Sequence, residues 1–173
     1  MDRLAIFDFD GTLFRSPERP PWWPLQGFWG RPETLSPPFV PEKPGADWWV
    51  SGVVSEARQA IGDANTYSVM LTGRPGKLGG RVKDLLSGAG LKFDEAHFAG
   101  AGAGNTLASK LGIIEKLVEK LNVKRVEMWD DRVEHVGPFE AHLEKLGVEF
   151  QVYRVTSTPH EFEVGEEAFQ AAR

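Results

Sequence analysis

Five short apolar runs alternate with four helix-period stretches along this chain, and that rhythm admits few folds. The apolar runs are Leu4–Phe9, Tyr67–Leu71, Ala96–Ala99, Val126–Trp129 and Phe150–Val155. The helix-period stretches lie near Val50–Ile61, Leu78–Leu86, Leu107–Leu121 and Val133–Leu146, with Gly90 and Gly147 as stops. Strands that are apolar throughout are buried on both faces, so the pattern predicts an α/β fold with a mainly parallel five-stranded sheet covered by helices. At 173 residues the chain fits one domain, 1–173, with room for a proper core.

One segment interrupts the alternation. Residues 15–49 hold nine of the twelve prolines and five of the six tryptophans. Proline at that density disfavours helix and central strand alike, which predicts an irregular Trp/Pro-rich insert after the first strand rather than a second domain. Its tryptophans, Trp22, Trp23, Trp29, Trp48 and Trp49, have two readings. They form a satellite core that staples a long loop, or some, notably Trp22 and Trp23, present faces on which a nucleobase stacks.

The chain has no cysteine, which excludes disulfides, thiolate catalysis and cysteine-ligated zinc. A net charge of −5 argues against whole-surface attraction to nucleic acid or anionic membrane, while leaving room for a local basic groove. Met1-Asp2-Arg3-Leu4 has neither a basic leader nor a following apolar region, and no stretch resembles a membrane span. The expectation is an intracellular, cytoplasmic protein with no membrane partner.

Ligands of open α/β sheets bind beyond the carboxyl ends of the strands, so the residues at those ends carry the chemistry. The first strand ends in Asp8-Phe9-Asp10-Gly11-Thr12, the second in Leu71-Thr72-Gly73-Arg74 and the fourth in Trp129-Asp130-Asp131-Arg132. Lys110 lies near the start of the third helix, whose N-terminus also favours anions. In a strand, residues two apart point the same way, so Asp8 and Asp10 are expected to face one pocket. Crowded buried acids are costly unless a cation or a proton sits between them. Oxygen-only ligands suit a hard ion such as Mg²⁺, beside which a carboxylate can attack phosphorus and a second acid can move the protons.

With these four motifs in order over about residues 4–155, the chain resembles the haloacid dehalogenase (HAD) superfamily. The resemblance implies a Rossmann-like, three-layer α/β/α sandwich and a Mg²⁺-dependent phosphatase working through an aspartyl-phosphate. It implies Asp8 as nucleophile and Asp10 as acid/base whose backbone carbonyl also binds the metal. Thr72 and Lys110 would hold phosphoryl oxygens, and Asp130 would bind Mg²⁺ with Asp131 in support. Leu-Thr-Gly-Arg at 71–74, Asp-Asp-Arg-x-Glu-His at 130–135, Phe-Arg-Ser-Pro at 14–17 and the Trp-Trp pair before the next helix look like the Swiss Army Knife RNA repair-like subgroup. Asp-Asp-Arg is also similar to the phosphatase domain of polynucleotide kinase-phosphatases. Both imply a phosphorylated RNA or other polynucleotide end as substrate, with a kinase or ligase as a partner in repair.

Other positions keep two readings each. Gly73, Arg74 and Arg132 follow catalytic positions; the two arginines bind a substrate phosphate bidentately or a nearby acid. His135, one turn past Asp131, faces the pocket or serves at a surface or cap. Gly100–Asn105 lacks the ending of a phosphate-binding loop and reads as a flexible connector. The tail from Thr156 allows a short acidic helix of no evident role. Competing functions are a small-molecule phosphatase, for a nucleotide or sugar phosphate, with the insert as lid, and a binding module of the same fold without turnover.

Overall fold

In the computed structural model, residues 1–100, 105–161 and 165–172 are described. Of the connector expected over Gly100–Asn105, residues 101–104 therefore lie outside the described part. The strands are β1 (Arg3–Phe7), β2 (Thr66–Thr72), β3 (Glu95–Phe98), β4 (Arg125–Asp130) and β5 (Glu149–Arg154). The helices are α1 (Ser51–Gly62), α2 (Gly79–Gly88), α3 (Thr106–Leu121), α4 (Val133–Lys145) and α5 (Glu166–Ala172). The strands form one sheet in the order β3-β2-β1-β4-β5, and every pairing is parallel.

Alternation along β1 divides the interior. Ala5 and Phe7 face a core shared with α1, α2 and the insert, whereas Leu4 and Ile6 face one shared with α3 and α4. Helices α1 to α4 each bury one stripe at helical spacing, for example Val53, Val54, Ala57 and Ala60 of α1. The result is a three-layer α/β/α sandwich of Rossmann-like form. Among the described residues no helix is long and apolar enough to cross a membrane.

The insert has three short 3₁₀ turns and no longer helix or strand, as its prolines require. Trp23 packs edge-on against Phe28 and Phe39, while Phe169 of α5 approaches Trp22, Trp23 and Phe39 with ring centroids 5.0–5.6 Å apart. Phe169 is the one buried residue of α5. The tail helix therefore docks on the insert through a single aromatic anchor, a role its acidic sequence conceals.

The segment after β5 adds a second clasp. The Arg15 side chain donates to the carbonyls of Asp47 and Thr158, and His160 stacks on Trp48 with centroids 3.6 Å apart. His160 also pairs with Asp47 at 2.9 Å.

Candidate active site

The chain runs from β1 outward to β3, then crosses back to β4. The strand order thus reverses where β1 and β4 meet, the place where such sheets open a crevice at their carboxyl ends. Phe7 lies opposite Trp129 with the rings stacked 4.3 Å apart, and the Asp8 N–H donates to the Trp129 carbonyl at 3.0 Å. That register sets Asp8 beside Asp130. The third contributor is Lys110, which shares the buried stripe of α3 with Ile114, Leu117 and Val118. Helix side chains lean toward the N-terminus, so a lysine at the head of that stripe reaches the sheet's edge. Asn105 fixes where the helix starts by capping the N–H groups of Leu107 and Ala108.

Lys110 Nζ donates to Asp130 Oδ2 at 3.0 Å and lies 3.4 Å from Asp8 Oδ1. The Arg132 N–H holds the other Asp130 oxygen at 2.9 Å. Asp131 comes from the same strand end and approaches Gly11. A Cβ on Gly11 would sit 2.4 Å from Asp131 Oδ2, and the backbone there has φ +70°. Glycine is thus required twice, for conformation and for space. Oxygens of Asp8, Asp130 and Asp131 fall within 4.8 Å of one another.

Three carboxylates face one ammonium here, and the imbalance shows in their ionisation. Burial pushes the Asp8 carboxyl well up; Lys110 opposes, and Asp130, Asp131 and Asp10 push further. Burial also raises Asp131, against a hydrogen bond with Asp8. Burial pulls Lys110 down, but Asp8 and Asp130 outweigh it and hold the ammonium firmly charged. Asp131 Oδ1 is buried without a hydrogen-bond partner. An orphaned oxygen, a cradle kept clear by Gly11 and uncompensated negative charge are what a hard divalent cation would satisfy, so the residues fit such an ion.

Asp8 and Asp10 line the same pocket, of about 300 Å³. Sequence expectation placed both on the strand; in fact β1 stops at Phe7 and the chain turns, so the two carboxylates meet different partners. Asp10 is gripped by Arg74, with Nε at 2.9 Å from Oδ2 and Nη2 at 2.8 Å from Oδ1, and accepts the Ser16 hydroxyl at 2.5 Å. The Arg74 side chain is only 1% exposed and also donates to Thr34 Oγ and the Trp29 carbonyl. Of its two readings, the salt bridge is the one realised. Thr72 is fully buried, its hydroxyl accepting the Arg74 N–H at 3.2 Å, and Gly73 forms the pocket wall in its place.

Arg132 lines the pocket without an ion pair among the described residues. His135 is not a surface residue: it continues the buried stripe of α4 with Phe139 and Leu143 and does not line the pocket. Burial lowers its pKa, and Asp130, Lys110 and Arg132 of the site also act on it. Trp22 and Trp23 also move. Packed on Phe39 and Phe169, they serve the satellite core, and Trp29 is the insert's tryptophan in the pocket wall. Sequence reading missed Ser16, Arg154 and Ser157 as well, whose hydroxyl (Ser157) donates to the Gly11 carbonyl at 2.7 Å. Arg154 ends β5 and Ser157 follows it, so the strand-end rule could have found them.

Among the solved structures that share this fold are two complexes. One, of a Pnkp1/Rnl/Hen1 complex, matches with TM-score 0.57 at 13% identity over 91% of this chain and 47% of the other. The second, of the Pnkp1/Rnl/Hen1 RNA repair complex, matches with TM-score 0.59 at 15% identity over 90% of this chain and 43% of the other. The chain thus spans less than half the length of these structural relatives. At the level of sequence families, residues 23–170 match the HAD domain family 1 of Swiss Army Knife RNA repair proteins. That span includes Thr72, Lys110, Asp130 and Asp131 but begins after Asp8 and Asp10, which stand on the geometry above. The match covers most of the chain, which therefore belongs to this HAD domain family of Swiss Army Knife RNA repair proteins.

Proposed function

We propose that the chain is a Mg²⁺-dependent phosphatase that removes phosphate from polynucleotide ends, RNA above all, through an aspartyl-phosphate on Asp8. The observation that carries this reading is the gathering of Asp8, Lys110, Asp130 and Asp131 at one sheet edge, with Asp10 in the same pocket. The family's description supports the RNA assignment, and one of the solved complexes with this fold is named for RNA repair. A kinase or ligase partner and a cytoplasmic setting belong to the same proposal.

Asp8, Asp130 and Asp131 would hold Mg²⁺, with the Asp10 backbone carbonyl available to it. Bound there, the ion would neutralise the nucleophile's surroundings and draw charge off the phosphoryl oxygens. An Asp8 oxygen attacks phosphorus as the bond to the ester oxygen breaks, and Asp10 gives that oxygen its proton. Asp10 then takes a proton from water, whose oxygen displaces Asp8 and releases inorganic phosphate. Lys110 stabilises negative charge throughout, fixed between two carboxylates and unable to swing away. Arg132, with no competing ion pair among the described residues, is placed to hold a phosphate oxygen. Arg74 orients Asp10 through its bidentate ion pair.

The test is phosphate release from 3′- and 5′-phosphorylated RNA and DNA oligonucleotides and from p-nitrophenyl phosphate, with Mg²⁺ or EDTA. Release that needs Mg²⁺, prefers one oligonucleotide end and is lost in Asp8→Asn is expected. Release from the aryl phosphate alone would remove the polynucleotide assignment and keep the chemistry.

A further inference from the structure

Beside the acidic pocket runs a second, larger groove of about 1030 Å³. Trp29 and Gly73 belong to the walls of both, so the two cavities meet along one partition. Across it the chemistry changes. The pocket carries the carboxylates, whereas among the described residues the groove is lined by no acid, and its charged members are Arg31 and Lys77. On a chain with 25 acidic and 20 basic residues, an acid-free groove with two cations is a local reversal of sign. Neither cation has a carboxylate partner among the described residues; Arg31 spends one N–H on the Gln26 carbonyl, and Lys77 is exposed. Much of the remaining lining is glycine, which leaves backbone open to a ligand, and Trp29 and Pro75 are its main apolar surfaces.

Trp29 is built to stay in place. The buried Arg74 donates to its carbonyl at 3.2 Å and sets its guanidinium carbon 5.2 Å from the ring centroid, and Phe28 meets the ring edge-on at 5.0 Å. Yet 40% of the residue remains exposed, more than any other tryptophan of the insert. A large aromatic surface held rigidly at the mouth of an anion-accepting groove suits a flat base flanked by phosphates. An apolar peptide or a lipid tail would need more hydrocarbon wall than Trp29 and Pro75 supply.

We infer that this groove is a track for single-stranded polynucleotide, in which a base near the cleaved end stacks on Trp29 and the phosphate beyond it meets Lys77 and Arg31. It rests on the reading of the acidic pocket as the place where a terminal phosphate is removed, and it gives that pocket a reason to prefer chains over mononucleotides. Stacking on an aromatic side chain tolerates any base, and phosphate contacts position a strand without reading its sequence. The track is accordingly indifferent to sequence.

Two measurements separate this inference from the phosphatase reading. One is kcat/KM on terminally phosphorylated mono-, di-, tri- and pentanucleotides; the other is binding of an unphosphorylated, fluorescein-labelled pentanucleotide by anisotropy. Expected are a rise of about 10-fold in kcat/KM from mono- to trinucleotide, carried by KM, and a binding constant that weakens with salt. Trp29→Ala should weaken pentanucleotide binding about 10-fold, with Trp29→Phe recovering much of it. Arg31→Ala and Lys77→Ala should each lower the slope of log affinity against log salt by about 0.7. Salt-sensitive pentanucleotide binding that falls in Trp29→Ala, without phosphate release from any substrate, upholds the track and overturns the phosphatase. Phosphate release with no dependence on length and no binding of the pentanucleotide overturns the track alone. Capture of an acidic peptide with no oligonucleotide binding also overturns it.

Discussion

Replacing Asp10 by Ala should cost more stability than losing a partly exposed surface carboxylate, because of what it leaves behind. The Arg74 side chain is 1% exposed and directs Nε and Nη2 at Asp10, whose own side chain is 18% exposed. Without that carboxylate the guanidinium keeps only Thr34 Oγ and the Trp29 carbonyl. Removing one partner of a buried pair costs about 3–5 kcal/mol, and the opening on the Asp10 side, where water can enter, places this case near 3 kcal/mol. For a chain of this size that is a fall in Tm of about 6–12 °C. Arg74→Met strands a carboxylate that still has Ser16 and solvent, so about 2 kcal/mol is expected. The double variant leaves neither charge behind, and the pair should couple by about 2 kcal/mol or more. Urea and thermal unfolding of the four proteins, without metal, measures the cycle. Additivity within about 0.5 kcal/mol would refute the claim that Arg74 is held by Asp10.

Gly11→Ala should cost about 1–2 kcal/mol through its left-handed backbone alone, and its Cβ would collide with the Asp131 carboxylate. The rise in Tm given by Mg²⁺ should vanish with it, and an undiminished rise would remove Asp131 from the ion's neighbourhood. Phe169→Ala empties the aromatic cluster under α5, for an expected loss of about 3 kcal/mol, with faster protease cleavage after Val155; a loss under about 1 kcal/mol would mean that α5 is not docked. Glu95 receives hydrogen bonds from Tyr67, Lys120 and His97 that bring its pKa down to about 2, and the same bond pushes Tyr67 up to about 12. A depressed carboxyl stabilises the fold above its unfolded pKa and loses that contribution as pH falls toward 2, so Glu95→Gln should flatten the acid limb of the stability profile below about pH 4.5. The same variant should return the Tyr67 ionisation toward 10 in an ultraviolet titration, and an unmoved titration would break the assigned pair.

Much of the site was legible because the fold is a parallel sheet. Apolar runs announce the strands, and the sheet then delivers whatever follows each run to one edge, so Asp8, Asp130 and the lysine at the head of α3 could be gathered from sequence alone. The limits of that logic are visible at Asp10. Strand alternation puts it beside Asp8, but β1 ends at Phe7, and the carboxylate's orientation is set by Arg74, 64 residues away. His135 likewise reads as a pocket or surface residue until the stripe it shares with Phe139 and Leu143 takes it off the surface.

The insert lay beyond sequence reading for a different reason. Proline removes the periodicity that tells an inward side chain from an outward one, so five tryptophans looked alike. Which of them is core depended on partners from the far end of the chain, for Phe169 fills the space against Trp22 and Trp23 and His160 stacks on Trp48. Trp29 was left at the mouth of the pocket because Arg74 anchors its carbonyl and ring. Sequence by itself determined the sheet, the crossovers and the acids at their ends, since those follow from local pattern and a general rule of parallel sheets. Tertiary packing alone decided the partner of Asp10 and the tryptophan that faces the ligand, since both rest on contacts between segments that carry no periodic signal.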